Sequence, residues 1–574
     1  MLLKILLLFI ATYAMSLAQG GAAFIGGVWS GSITPTTGTV AARFDTPGVK
    51  VRLQVGTDPS LTPAVYSATV TTAVGSSGAV KLTVQGLRPD TEYYYGFEVA
   101  GVLRSERESR GRFRTFPLGR GSFKIAFGSC GDFRHANQSA YDAILAERPL
   151  LFINTGDLHY SDTNSTSADD YRANYDQVLR HPNQGALYRG VPMAYTWDDH
   201  DFSGNDSNTT AIGRDTARSV YRERVPHYPI GPTGGTIGQA FTIGRVRVIM
   251  TDLRSAAVSP SLKESASKTR LGVAQKNWFK QELINARDSG FPLVLWVSSA
   301  PWITPAALGD DSWAGYATER IELADFIRDN RIRNVVMLSG DLHGLAYDDG
   351  TNSDYATGGG APLTVLHGAA LSANPSTKGG PYSGGVLPGS QQYGILEVYD
   401  NGGPSVACRF LGMKAGQGAK LTHIFSSSAE AAKDLSIVNI STLARINSAD
   451  DALISGFVIS GSKSRNVLVR AIGPTLEAFG VNAALTDARL AVFQSDRLVA
   501  TNAGWGRGSD GVQSSDAVVQ MTAAFDRAGA FRLLDESSRD SAIVLAVEPG
   551  SYTVRVKSGN GVPGMTLLEV YDLP

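Results

Sequence analysis

Four short segments place groups that bind metals or move protons directly after apolar runs. "FGSCGD" carries Cys130, and "NTGDLHY" carries Asp157 and Tyr160. "TWDDHDFSGND" carries Asp198, Asp199, His200, Asp201 and Asn205, and "LSGDLHG" carries Asp341 and His343. Taken singly, each has an ordinary explanation. A Gly-Asp after a strand is commonly a turn whose carboxylate caps a backbone amide. An Asp-x-His pair is more often a hydrogen-bonded couple than a metal site. Taken together they call for another reading. Thiol, phenol, imidazole, amide and carboxylate groups, presented from separate rigid elements, are what a metal ion needs around it at about 2.0–2.5 Å.

Such groups converge only if the runs before them lie side by side. "FKIAFGS", "LLFINTGD", "VPMAYTWDD", "VRVIMTD", "PLVLWVSS" and "NVVMLSGD" are apolar, of strand length, and each ends in a polar residue. Helical patterns lie between several of them, over Gln138–Glu147, Ala274–Arg287 and Ala317–Asn330. This alternation predicts an α/β domain with covered sheets, over residues 118–425, in which ligands gather beyond the carboxyl ends of the strands. Before it, residues 24–117 alternate in short strands with turn residues between, as in a β-sandwich. Within them "GLRPDTEYYYGFEVAG" resembles the tyrosine-corner region of fibronectin type III modules, with Tyr93 or Tyr95 as the corner. After the small, polar stretch "IFSSSAEAAKD", read as a linker, residues 433–574 are again β-rich. That last segment has no His and no Cys, so metal chemistry is not expected in it.

Composition narrows the function classes. With 52 basic and 53 acidic residues in 574, the bulk charge favours neither nucleic acid nor an anionic membrane surface. "MLLKILLLFIATYAMSLAQG" has a lysine, an apolar run and a small-x-small pattern at Ser16-Leu17-Ala18, the layout of an export signal over residues 1–18. No later run reaches the roughly 18 apolar residues of a membrane span. The expected location is therefore secreted, periplasmic or cell-surface. Export permits a disulfide, but two cysteines in so long a chain form no disulfide framework. Nothing brings Cys408, within the strand-like "SVACRFLG", to Cys130; it is expected to be a buried spectator.

Gly-Asp-x-x-Tyr and Gly-Asp-x-His resemble the motifs of the calcineurin-like metallophosphoesterases. The Gly-Ser-Cys start, the Trp-Asp-Asp-His with its following Asn-Asp, and "DSWAGYATER" narrow this to a resemblance to the alkaline phosphatase D (PhoD) family, covering Phe24 to Val406. The resemblance implies a metallophosphoesterase-type α/β sandwich behind an N-terminal β-sandwich. It also implies a site with one ferric ion (Fe3+) and calcium (Ca2+). Cys130, Asp157, Tyr160, Asp341 and His343 would hold iron, with Asp157 shared and Asp199 and Asn205 on calcium. Asp198 and Asp201 are adjacent candidates for the role of Asp199. Thiolate and phenolate ligands stabilise a ferric ion, and oxygen ligands suit a hard ion. The strand end "VLWVSSAPW" offers Ser298, Ser299 and Trp302 but no imidazole, in line with an oxygen-ligated second ion.

The implied activity is hydrolysis of phosphate monoesters and diesters by metal-activated hydroxide. His200 would protonate the leaving group or orient Asp199. Arg254, in "MTDLRS", would bind a phosphate oxygen or form a structural ion pair, and His367 would line the pocket or sit buried and hydrogen-bonded. The alternative enzyme is a phospholipase D-like diesterase acting on phospholipids. The alternative class is a non-catalytic surface binding protein.

Overall fold

The computed structural model describes residues 23–232, 234–429, 439–459, 464–508, 511–533 and 535–573. The export signal expected over residues 1–18 lies outside them, as does the second half of the expected linker. The linker's first half is not a linker: the strand Gly418–Ser428 runs through it. The chain divides into two compact units, residues 1–431 and 432–574.

In the first unit two sheets face each other. One runs Gly418–Ser428, Ser405–Lys414, Gln392–Tyr399, Phe123–Gly128, Leu151–Asn154, Met193–Tyr195, Trp29–Gly31, Thr37–Arg43 and Ala79–Gln85. The other runs Gln239–Ile243, Val246–Met250, Leu293–Ser298, Val335–Ser339, Thr364–Gly368, Gly344–Asp348 and Val386–Pro388. Strand periodicity of two sorts each side chain to a face. Ile125, Phe127, Ile153, Leu295, Val297 and Leu338 fill the space between the sheets. Ala126 and Phe152 turn outward beneath the helices Ser139–Glu147 and Ala168–Arg180. On the other side Val294, Trp296 and Met337 meet Phe279 and Leu283 of the helix Val273–Asp288 and Leu323 of the helix Ala317–Asp329. Burial on both faces explains why these strands read as unbroken apolar runs.

The parallel strands Phe123–Gly128, Leu151–Asn154 and Met193–Tyr195 all point one way, as do Val246–Met250, Leu293–Ser298 and Val335–Ser339 in the second sheet. Their carboxyl ends carry the polar motifs.

The N-terminal module is less separate than its sequence implies. Its strand Trp29–Gly31 pairs in parallel with Met193–Tyr195, so one of its two layers continues the central sheet. Gly31 makes this possible, since a Cβ there would lie 2.6 Å from both Met193 O and Pro226 O. Tyr93 is the tyrosine corner, its hydroxyl accepting the Arg88 N–H at 2.9 Å. The second unit, taken by itself, has two four-stranded antiparallel sheets around Val469, Leu490, Val492 and Val554, with one α-helix, Ser515–Ala528, and a 3-10 turn, Pro474–Phe479, among its described residues.

Candidate metal centre

The turns that end three of the strands share an uncommon backbone. Cys130, Asp157 and Asp341 all have left-handed φ, at 62°, 53° and 63°. For residues with a Cβ this costs on the order of 1–2 kcal/mol each, so tertiary contacts must hold it. They do. Cys130 N–H donates to Gly156 O at 3.3 Å and Gly131 N–H to Asp157 O at 2.8 Å, tying the first two turns together. The Cys130 carbonyl accepts from Ser372 and Ala373. The glycines of the Gly-Asp motifs allow the close approach: a Cβ on Gly156 would lie 2.7 Å from Asp198 Cβ, and one on Gly340 2.3 Å from Thr155 O.

These turns gather the side chains into overlapping groups whose candidate ligand atoms lie within 4.8 Å of one another. One is Cys130, Asp157 and His343; a second is Asp157, Asp199 and His200; a third is Asp157, Asp198 and Asp341. Asp157 belongs to all three. Tyr160 completes the first, its hydroxyl 3.0 Å from Asp157 Oδ2 and 3.2 Å from His343 Nε2. His343 Nδ1 lies 2.5 Å from Asn374 O, an acceptor, so the proton belongs on Nδ1 and Nε2 keeps its lone pair for the centre.

The donor set fits cations. Asp157 Oδ1 is buried and has no hydrogen-bond partner. Burial, then Cys130 and Asp199, hold the Asp157 carboxyl well above the usual carboxylate range. Burial, then Asp341, push the Cys130 thiol up to about 12. Buried acids crowded in this way are satisfied by positive charge, and Asp157 shares one group with a thiol and an imidazole and another with carboxylates alone.

The four residues from Asp198 to Asp201 divide their roles. Asp198 accepts from Arg254 Nε at 2.6 Å and Ser299 Oγ at 2.9 Å. Asp201 accepts from Leu158 N, Asp198 N and the Tyr195 hydroxyl, closing a capping box on the short helix Asp199–Phe202. Asp199 stays ionised: burial opposes this, but Arg254 and His200 bring its pKa down to about 2. Its carboxylate joins Asp206 and Asp311 in a fourth group. Asn205 sits on the exposed turn beside Asp206, and its amide makes no hydrogen bond among the described residues.

His200 lies against the centre, its ring stacked on Tyr160 at 4.0 Å and its Nδ1 2.5 Å from Asp162 Oδ1. Arg254 is buried and committed to Asp198 and Asp311, with Asp199 3.9 Å away. Its guanidinium therefore sits in the structural ion pair rather than free to clamp a phosphate. His367 points to the outer face of the second sheet beside Tyr382, belongs to none of the ligand groups, and neither ring nitrogen has a hydrogen-bond partner. Both cysteines are free: Cys130 in the centre, Cys408 in the core between the sheets.

Sequence reasoning did not single out Asp162, Asp206, Asp311 or Lys378. Lys378 Nζ pairs with Asp341. Asp311 opens the "DSWAGYATER" motif and Asp206 ends the Asn-Asp pair, so both had a signal; Asp162 and Lys378 come from loops whose composition shows none.

The sequence profile of the PhoD-like phosphatase family matches residues 125–382, and that of the PhoD-like phosphatase N-terminal domain matches residues 11–117. Alkaline phosphatase D of Bacillus subtilis (strain 168) is 25% identical over 344 residues, which are 51% of this chain and 58% of the relative. A solved structure of PhoD superposes with a TM-score of 0.57 at 19% identity, covering 70% of this chain and 90% of that one. Two adjoining profiles, the curated relative and the shared fold agree on one assignment: this chain belongs to the PhoD-like phosphatase family.

Proposed function

We propose that this protein is an exported, metal-dependent phosphoric ester hydrolase that releases phosphate from small organic phosphate esters. The observation that carries this reading is Asp157, buried and shared by three ligand groups, with one oxygen left without a partner. Cys130, Asp157, Tyr160, Asp341 and His343 would hold ferric iron, and Asp157, Asp199 and Asn205 calcium. When bound, such cations supply the charge that polarises a phosphoryl group and the acidity that makes water a nucleophile near neutral pH.

The chain's own residues then orient and move protons. Ser299 and Arg254 fix Asp198, and the Asp201 capping box fixes the turn that carries Asp199 and His200. Asp162 on Nδ1 fixes the orientation of the His200 ring, leaving Nε2 as the atom that can carry a proton to the departing alkoxide. Asp162→Asn is expected to lower kcat about tenfold or more with KM little changed, because the ring loses the contact that orients it. Parental kcat in the folded variant would remove Asp162 from the positioning of His200.

The test of the function is elemental analysis of the purified protein beside three assays: a chromogenic phosphomonoester, its bis-ester and phosphatidylcholine. Hydrolysis of the first two with bound iron and calcium is expected; cleavage of the lipid alone would replace this reading with a phospholipid diesterase. Cys130→Ala is expected to lose iron together with the visible absorption of a ferric thiolate and phenolate centre. Retained colour and full activity would strike Cys130 from the ligands. Export rests on the N-terminal sequence, and no helix among the described residues is long and apolar enough to cross a membrane. Amino-terminal sequencing of protein recovered outside the cytoplasm would place the cleavage after Ala18.

A further inference from the structure

A cavity of about 470 Å³ lies where the N-terminal module meets the helix Pro182–Gly190, and it shares no residue with the metal centre. That volume falls in the range of small-molecule sites. Four arginines line it, Arg107, Arg110, Arg112 and Arg189, and no acidic residue does. Leu61, Tyr94 and Leu145 add an apolar wall.

Arg189 is the decisive residue. It is only 8% exposed, yet among the described residues its guanidinium has no hydrogen bond and no ion pair. Burial lowers its pKa; Tyr95 opposes this, Arg107 adds to it, and Glu108, exposed on the turn Arg107–Ser109, opposes it. Arg107 is likewise without an ion pair among the described residues. The other two are anchored through Nε, Arg110 to Arg104 O at 2.9 Å and Arg112 to Gly190 O at 3.2 Å, with Glu92 3.8 Å from Arg112. Burying a cation without a counter-charge is costly, and placing further cations beside it raises the cost. A bound anion removes that penalty, and guanidinium groups take phosphate, sulfonate and carboxylate heads through paired N–H donors.

We infer that this cavity binds a small organic anion, its charged head on Arg189 and its aromatic or short aliphatic part against Leu61, Tyr94 and Leu145. The site is independent of the hydrolytic reading.

The test uses the full chain and 8-anilinonaphthalene-1-sulfonate, an aromatic anion that fluoresces in apolar surroundings, with phenylphosphonate as competitor. One saturable site per folded chain is expected, and phenylphosphonate should displace the dye more effectively than inorganic phosphate does. Arg189→Gln should weaken dye binding about tenfold or more, the loss of charge-assisted hydrogen bonds. Ala186→Trp, which fills the cavity without changing its charge, should weaken it as well. Without ligand, Arg189→Gln should melt no lower than the parent, because it removes an unpaired buried charge, and its hydrolysis of a chromogenic monoester should be unchanged. Parental dye affinity in both folded variants would overturn the inference. So would a clear drop in the melting temperature of Arg189→Gln, which would make the arginine a structural element.

Discussion

Asp157→Asn is expected to strip the centre of both metals and to lower hydrolysis of a chromogenic monoester on the order of a thousandfold. The amide keeps the shape of the side chain and removes its charge. Three ligand groups share this carboxylate, so the loss is not confined to one ion. Its Oδ2 would still meet the Tyr160 hydroxyl, but its Oδ1, already without a partner, would become either a neutral oxygen or an N–H pointed at cations. A structural role would show differently: a lower melting temperature with metal content intact. Elemental analysis and kcat/KM on the same preparation separate the two. Full metal content with near-parental activity would end the shared-ligand reading.

Metal removal should destabilise the fold, and the effect should grow with pH. Burial, then Cys130 and Asp199, raise the Asp157 carboxyl well above its ordinary 3.8. At Asp198 burial also wins, against Arg254 and with Asp199. A carboxyl whose folded pKa exceeds its unfolded one contributes stability that is complete below the unfolded pKa and lost as pH rises through the folded pKa. The metal-free protein should therefore lose stability from about pH 4 upward, as Asp157, and Asp198 sharing Arg254 with Asp311, are forced to ionise while buried. Metal-loaded protein has that counter-charge and should not follow the same slope. The expected gap in melting temperature between loaded and chelated protein is roughly 10 °C at pH 8 and clearly smaller at pH 5. Differential scanning calorimetry across pH checks it. A gap that is constant or shrinks with rising pH would mean the acidic cluster is not what the metals stabilise.

Much of the architecture was legible in local pattern. The helix expected over Ala274–Arg287 is found over Val273–Asp288, and that expected over Ala317–Asn330 over Ala317–Asp329. Both the helical and the strand periods are written in which residues are apolar, so elements follow from order along the chain. The motif residues were legible for a related reason. One polar group after a buried strand has ordinary structural uses, but four such strand ends in one chain point to a shared edge, and Cys130, Asp157, Tyr160 and His343 do come together.

Three features depended on the tertiary structure. Asp198, Asp199 and Asp201 are equivalent in composition, and only the direction each takes around one short helical turn sends them to Arg254, to the centre and to a backbone cap. The N-terminal module reads as a separate sandwich because sheet continuity across Gly31 and Met193 leaves no mark in either segment. Arg189 reads as an ordinary basic residue at a helix end, and its isolation appears only when Tyr95, Gly111 and the helix Pro182–Gly190 close over it. The chemistry of each strand end was thus set by residue type and neighbouring pattern. Which oxygen meets which cation was set by contacts between segments tens to hundreds of residues apart, where the energy of a charge depends on what surrounds it rather than on what precedes it in the chain.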